Sequence, residues 1–141
     1  MVAVEVENHS GWRIDERAAA GVMASTLRAE GLGEGEVGVI FVDEPRIAEL
    51  NGAHRGKPTA TDVLSFPLDG HDQLPAGLPR QLGDVVVCPA VAVAQGTPIA
   101  TLLVHGALHL AGYDHETDGG EMLARQEQLL VGVEPVGAEP S

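Results

Sequence analysis

The sequence predicts a single α/β (α+β) domain over residues 1–141, with a mixed sheet of about four strands packed with about five helices. Two observations support this fold class. Apolar residues recur first at period two and then at helical spacing, in the order strand, helix, strand, helix, two strands, helices. The length of 141 residues is sufficient to bury a hydrophobic core without disulfides. We expect no second folding unit.

The N-terminal segment changes from a strand pattern to a helix pattern. Residues 2–8, VAVEVEN, alternate apolar and acidic side chains, which indicates a strand with one solvated face. From residue 13 the spacing becomes helical, and Gly31 and Gly33 provide a stop. The apolar side of this predicted helix consists of Ile14, Ala18, Val22 and Leu27.

A second strand and a short helix follow. The run VGVIFVDEP, residues 37–45, is typical of a buried strand. Asp43 is a suitable N-cap for the next helix, and Pro45 stands where a first helical turn tolerates proline. We expect this helix to run through Leu50.

Two β-like runs occupy the middle of the chain, and helices follow them. DVLSFPL (62–68) and DVVVCP (84–89) are separated by a loop rich in glycine and proline, which indicates a hairpin or an edge pairing. Helical patterns then cover residues 90–95, 98–112 and 118–133. Asp118 is the candidate cap of the last helix. Residues 134–141 have the composition of a frayed tail.

The charge balance limits the partners of this chain. Eight basic residues against 21 acidic ones give a net charge of -13. Such a field repels phosphate, so any nucleic-acid contact must be local, and DNA is not an expected partner. Arg46, Arg55 and Lys57 lie in one segment in which Glu49 is the only acid, and we expect a local positive patch there.

The sequence also indicates a compartment. Cys88 is the only cysteine, so it cannot form an intramolecular disulfide and fits a reducing environment. The N-terminus has neither the positive region nor the long apolar core of a signal peptide. No apolar run reaches the roughly 18 to 20 residues that span a bilayer. We expect a cytoplasmic protein with no membrane partner.

The segment LLVHGALHLAGYDHE, residues 102–116, holds three of the six histidines. His105 and His109 are four residues apart, so a helix places both on one face. A glycine at 112 can end the helix in a left-handed conformation, after which the chain can return His115 to the same point. Three imidazoles with an open fourth position are the arrangement expected of a catalytic zinc at the end of this C-terminal helix.

Other interpretations of these residues stay open. The histidines could be structural packing, while His9, His54 and His71 have no partner spacing and are expected to be exposed. The metzincin proteases share this histidine spacing, but they place a glutamate where this chain has Gly106. We expect Met122 to pack in the core and Cys88 to be an inert buried thiol rather than a fourth ligand. Ser65 lacks the sequence surroundings of a serine hydrolase nucleophile.

Four stretches resemble the YbeY endoribonucleases, bacterial metal-dependent hydrolases involved in ribosomal RNA maturation. They are HGALHLAGYDHE from His105, TDVLSFP from Thr61, ELNGAHRGK from Glu49 and LGDVVVCP from Leu82. The histidine motif with its Gly-Tyr-Asp insert is highly specific, and TDVLSFP nearly as specific. His54 departs from the family pattern, where tyrosine is common, and the segment 95–102 is shorter and less charged than usual.

The resemblance implies an endoribonuclease that binds one zinc ion through His105, His109 and His115. It implies cleavage of single-stranded RNA in small-subunit rRNA 3′ end processing and ribosome quality control, with the small ribosomal subunit as partner. An arginine matching Arg55 is important for activity in the family, and a guanidinium can hold two phosphate oxygens.

The sequence leaves parts of the mechanism open. The metal could lower the pKa of a bound water or act as a Lewis acid while the ribose hydroxyl attacks. Asp114 and Glu116 are the carboxylates nearest the ligands, but a turn-capping or histidine-orienting role is favoured for Asp114. A zinc-stabilised assembly factor that cleaves nothing is the alternative function.

Overall fold

A mixed four-stranded sheet forms the centre of the fold, as the sequence predicts. The computed structural model describes residues 1–114 and 116–141. In chain order the elements are β1 (Val2–Asn8), β2 (Trp12–Ile14), α1 (Glu16–Ala29), β3 (Gly35–Phe41), α2 (Glu44–Arg55), β4 (Val63–Pro67), β5 (Gln81–Val87), α3 (Pro89–Gln95), α4 (Ile99–Leu110), α5 (Glu121–Leu130) and β6 (Ala138–Pro140).

The sheet has the spatial order β1, β3, β5, β4. Strands β1, β3 and β5 run parallel, and β4 pairs antiparallel with β5 at one edge. The predicted pairing of the two middle runs is therefore confirmed, since β4 and β5 are consecutive and adjacent. Their connection, residues 68–80, is held by the Arg80 side chain, which donates a 2.7 Å hydrogen bond to the Gly70 carbonyl.

The two faces of the sheet are covered differently. Helices α1 and α4 pack on one face over buried side chains such as Val39, Phe41 and Val85, which are fully buried. On the other face, Ile47 of α2 packs in a smaller cluster with Leu64. Each fully buried aliphatic or aromatic side chain stabilises the fold by about 1.5–3 kcal/mol, so α4 is fixed firmly against the sheet.

Helix α4 lies between α1 and the sheet, and almost every side of it is apolar, as expected for a buried helix. No single helix in residues 1–114 and 116–141 is long and apolar enough to cross a membrane. Helices α3 and α4 reach that length and composition only as a pair, and they are bent by 115° at the break between them.

Helix α2 is longer than the sequence indicates. Its start is confirmed: the Asp43 carboxylate accepts a 3.0 Å hydrogen bond from the Arg46 amide, and the proline lies in the first turn. It does not end at Leu50 but continues to Arg55, where Gly56 adopts a left-handed conformation with φ of 71°. Arg55 is thus the last helical residue, where a cation interacts favourably with the helix dipole.

The prediction of a frayed tail over residues 134–141 is wrong for the last residues, which form a short strand. Strand β6 pairs antiparallel with β2, with Ala138 opposite Ile14. Ile14 therefore belongs to a strand and not to the apolar side of α1, which starts after the Asp15 cap. Strands of three residues are too short to show a period in the sequence, so neither could be recognised there.

Candidate functional site

Helix α4 places His105 and His109 side by side. They lie one helical turn apart, and both are half-buried while their apolar neighbours are buried. The ring centroids are 4.8 Å apart, and the planes meet at 82°. The predicted shared face is therefore confirmed. Gly112, just beyond the helix, has a φ of 105°, which confirms the expected positive angle.

Both imidazoles are oriented through Nδ1. His105 Nδ1 lies 2.8 Å from Gln126 Oε1, and His109 Nδ1 lies 3.0 Å from the Tyr113 carbonyl oxygen. Both oxygens are acceptors, so these contacts are hydrogen bonds in the tautomer that has its proton on Nδ1 and its lone pair on Nε2. Zinc binds imidazole nitrogens of this kind, and metal-bound histidines commonly donate their other N–H to an oxygen. The donor set of these two residues fits a zinc ion.

The third predicted ligand, His115, lies outside the described residues. Within residues 1–114 and 116–141, no group of three or more histidine, cysteine or carboxylate side chains is arranged to hold a metal ion. The described residues thus contain the two helical members of the predicted triad, and completion of the site by His115 stays a prediction.

A cleft of about 780 Å³ opens beside these histidines, lined by the end of α4, strand β4 and the flanking loops. Its walls also include His54 and His71, which are exposed as expected but which sequence spacing did not associate with the site. The His54 ring lies 4.5 Å from the Phe66 ring, centroid to centroid. His54 could have been associated with the cleft only through its neighbour Arg55.

Arg55 is the only lysine or arginine among the described residues that line this cleft. Its Nη2 atom lies 3.6 Å from Glu116 Oε1, so the end of α2 contacts the segment after α4. The two other members of the predicted positive patch are elsewhere. Arg46 pairs with Glu49 and lines a cavity on the opposite face of the sheet, and Lys57 is exposed outside the cleft lining.

Carboxylates are more numerous than cations along the cleft. The lining includes Asp62, Asp69, Asp72, Asp114 and Glu116. The Asp114 carboxylate accepts a 3.0 Å hydrogen bond from the Glu116 amide, which agrees with turn-capping, one of the two roles favoured for Asp114. An anionic substrate therefore has Arg55 as its one guanidinium contact in the described part of the cleft.

Gly106 faces the sheet and not the cleft. A Cβ atom at this position would lie 2.6 Å from Val85 Cγ1 and 3.3 Å from Ser65 Oγ. The position that carries the metzincin glutamate therefore has no room for a side chain. The chain lacks that general base, and the packing accounts for the glycine in its place, which argues against the protease alternative. The same packing also accounts for Ser65, whose hydroxyl points toward α4.

The remaining candidates lie in the core or on the other face of the sheet. Cys88 is fully buried in the cluster below α2 and is not part of the cleft lining, which agrees with an inert thiol. Burial raises the pKa of this thiol. Met122 is fully buried and packs as predicted, whereas Asp84 is exposed on the face of the sheet opposite α4.

The chain is similar to known proteins over most of its length. A family model described as endoribonuclease YbeY matches residues 5–134. A protein of that name from Moorella thermoacetica is 43% identical over 129 residues, which cover 79% of this chain and 82% of the relative. Another, from Salinispora tropica, is 36% identical over 148 residues, covering 92% and 94%.

A solved structure shows the same fold. The solution structure of a Thermotoga maritima protein is similar with a TM-score of 0.55 and 29% sequence identity, over 92% of this chain and 86% of that one. This likeness shows the fold, and the family match over residues 5–134 shows the activity class. The chain belongs to the endoribonuclease YbeY family, and it is a nuclease whose substrate is RNA.

Proposed function

We propose that this protein is a zinc-dependent endoribonuclease that cleaves single-stranded RNA, with one zinc ion per chain held by His105, His109 and His115. The observation that carries the proposal is the orientation of the two helical histidines, whose Nδ1 atoms are both held by oxygen acceptors. A zinc ion bound there would polarise a phosphate oxygen or lower the pKa of a water molecule.

The protein groups around the histidines have separate tasks. Arg55 binds a non-bridging phosphate oxygen pair and positions the scissile phosphodiester, since a planar guanidinium matches two oxygens at once. The carboxylates of the cleft repel phosphates that are not held by Arg55 or the metal. A single RNA strand can therefore enter the cleft with few phosphate contacts, which supports a preference for single-stranded RNA.

The weakness of this electrostatic attraction supports a cellular role in which a partner supplies the RNA. With a net charge of -13, the protein attracts free RNA poorly, and its substrate is best supplied by a partner that already holds it. We infer that the small ribosomal subunit presents the 3′ end of its rRNA in the cytoplasm, for maturation and for ribosome quality control. Binding of free RNA should accordingly be weak and strongly dependent on salt.

The test combines metal content with cleavage. Purified protein, a His109→Ala variant and a His9→Ala variant are compared by elemental analysis and with a labelled single-stranded RNA, its duplex and the matching single-stranded DNA. His9 is the control because it is exposed on the other face of the sheet. We expect one zinc per chain and RNA cleavage in the wild type and in His9→Ala, and neither in His109→Ala.

Each other outcome has a definite meaning. Absence of bound metal, or cleavage that survives His109→Ala, would contradict the metal-dependent mechanism. Loss of zinc and of thermal stability without any change in RNA processing would favour the assembly factor. Equal cleavage of the duplex or of DNA would contradict the single-strand and RNA preferences.

A further inference from the structure

Helix α5 contacts one of the two helical histidines through the side chain of Gln126. We propose that Gln126 is the positioning residue of His105. The inference rests on the proposed metal centre and deepens it, because it identifies a residue outside the ligand set that prepares the His105 imidazole.

The support is a direct contact. Gln126 Oε1 lies 2.8 Å from His105 Nδ1, and both side chains are half-buried. The amide oxygen accepts and cannot donate, so it fixes the Nδ1–H tautomer and with it the direction of the Nε2 lone pair. Without this acceptor the ring would populate the other tautomer, which has its proton on the nitrogen that should bind metal. Because the amide is uncharged, it provides this orientation without adding negative charge to an already acidic cleft.

An ion pair ties the same helix to the end of α1. Arg125 Nε lies 2.8 Å from Glu30 Oε2, and the Glu30 side chain is only 7% exposed. Because Arg125 precedes Gln126 in α5, this pair fixes the helix next to the residue that contacts His105.

Helix α5 is itself well fixed, which makes it a suitable support. Its first turn is capped by Asp118, whose carboxylate accepts hydrogen bonds of 2.8 Å from the Gly120 amide and 3.0 Å from the Met122 amide. Met122 is fully buried in the main core, and α5 packs against α4. Movement of α5 would therefore displace Gln126, the partner of His105.

The direct support is tested with variants that keep or remove the acceptor. Gln126→Leu removes it, Gln126→Glu retains an acceptor oxygen, and Gln95→Leu makes the same change at an exposed position at the end of α3. Zn²⁺ affinity is measured by competition with a chelator, and folding by thermal unfolding. Removal of a partner of a metal-binding histidine typically weakens metal binding by about 10- to 100-fold. We expect that loss in Gln126→Leu, rescue in Gln126→Glu, and no change in Gln95→Leu.

A second readout does not require metal. The ¹⁵N shifts of the His105 ring in the metal-free protein, at a pH where the ring is neutral, report its tautomer. We expect Nδ1–H in the wild type and Gln126→Glu, and a mixture of tautomers in Gln126→Leu. If wild-type protein binds no zinc, the proposed function fails, while the tautomer still decides whether Gln126 positions the ring. An unchanged tautomer with unchanged affinity, or equal losses in Gln126→Leu and Gln126→Glu, would overturn the positioning role.

Discussion

Gly106 of helix α4 lies directly against Val85 of strand β5: a Cβ atom on the glycine would approach Val85 Cγ1 to 2.6 Å and Cγ2 to 2.9 Å. This contact sets how close the helix that carries both histidines comes to the sheet. Val85 is fully buried, and its branched side chain has little freedom to move away. The glycine is therefore a requirement of packing and not of backbone conformation.

The first prediction is that Gly106→Ala destabilises the protein. Alanine gains about 1 kcal/mol in helix propensity. Overpacking of a closely packed core costs about 1–3 kcal/mol, and the close contacts with two Val85 carbons favour the upper part of that range. We expect a net loss of about 1 kcal/mol or more in urea unfolding. Zn²⁺ affinity should also fall, since α4 must shift to accommodate the methyl group.

Gly21→Ala provides the matched control. Gly21 is an exposed glycine in the interior of α1, and a Cβ atom there would meet nothing within 4 Å. The same substitution should stabilise the protein by about 0.5–1 kcal/mol. Equal changes in the two variants would contradict the packing role of Gly106.

Local signals explain which features the sequence could predict. The caps and stops of several helices were visible, such as Asp43 and the positive φ of Gly112, because they depend on a few adjacent residues. The extension of α2 to Arg55 was not visible. It depends on a tertiary contact in which buried Asn51 donates a 3.0 Å hydrogen bond to the Thr59 carbonyl and holds the following loop against the helix.

In the candidate site, too, local features could be predicted and long-range contacts could not. The helical spacing of His105 and His109 is local and could be predicted, whereas Gln126 is 21 residues away from His105 and has no motif that marks it as a partner. His71 lines the cleft because the β4–β5 connection returns to the end of α4, with Gly70 next to the Leu110 carbonyl. Contacts of this kind depend on topology, which periodicity does not contain.

The second prediction concerns Arg55. Its side chain is 48% exposed, so Arg55→Ala should change the free energy of unfolding by no more than about 0.5 kcal/mol. A hydrogen bond to a charged group contributes about 1.5–3 kcal/mol, so kcat/KM for RNA cleavage should fall by roughly 10- to 100-fold. Arg55→Lys should restore part of it. Arg46→Ala, a cation outside the cleft, should cleave as the wild type does, and an equal loss in both variants would mean that only overall charge matters.

The third prediction is that Glu116 competes with phosphate for Arg55. The two side chains lie 3.6 Å apart and are 48% and 66% exposed, so their interaction is worth at most about 1 kcal/mol. Glu116→Gln should therefore lower KM for RNA by no more than about fivefold. Glu127→Gln, which makes the same charge change at an exposed position on α5, should have little effect. A higher KM in Glu116→Gln would mean that the carboxylate assists binding instead.

The fourth prediction concerns Cys88 at alkaline pH. Burial raises the pKa of this thiol above its ordinary value of 9.0, so the folded state binds the proton more tightly than the unfolded chain does. This contribution to stability is complete below the unfolded pKa and is lost as pH rises through the folded one. Urea unfolding between pH 7 and 10.5 should show a steeper alkaline loss of stability in the wild type than in Cys88→Ala, although the variant is less stable at pH 7. The thiol should react with an aromatic disulfide reagent only after denaturation, because its side chain is fully buried. Rapid reaction of the native protein would contradict this placement, and so would parallel pH profiles for the two proteins.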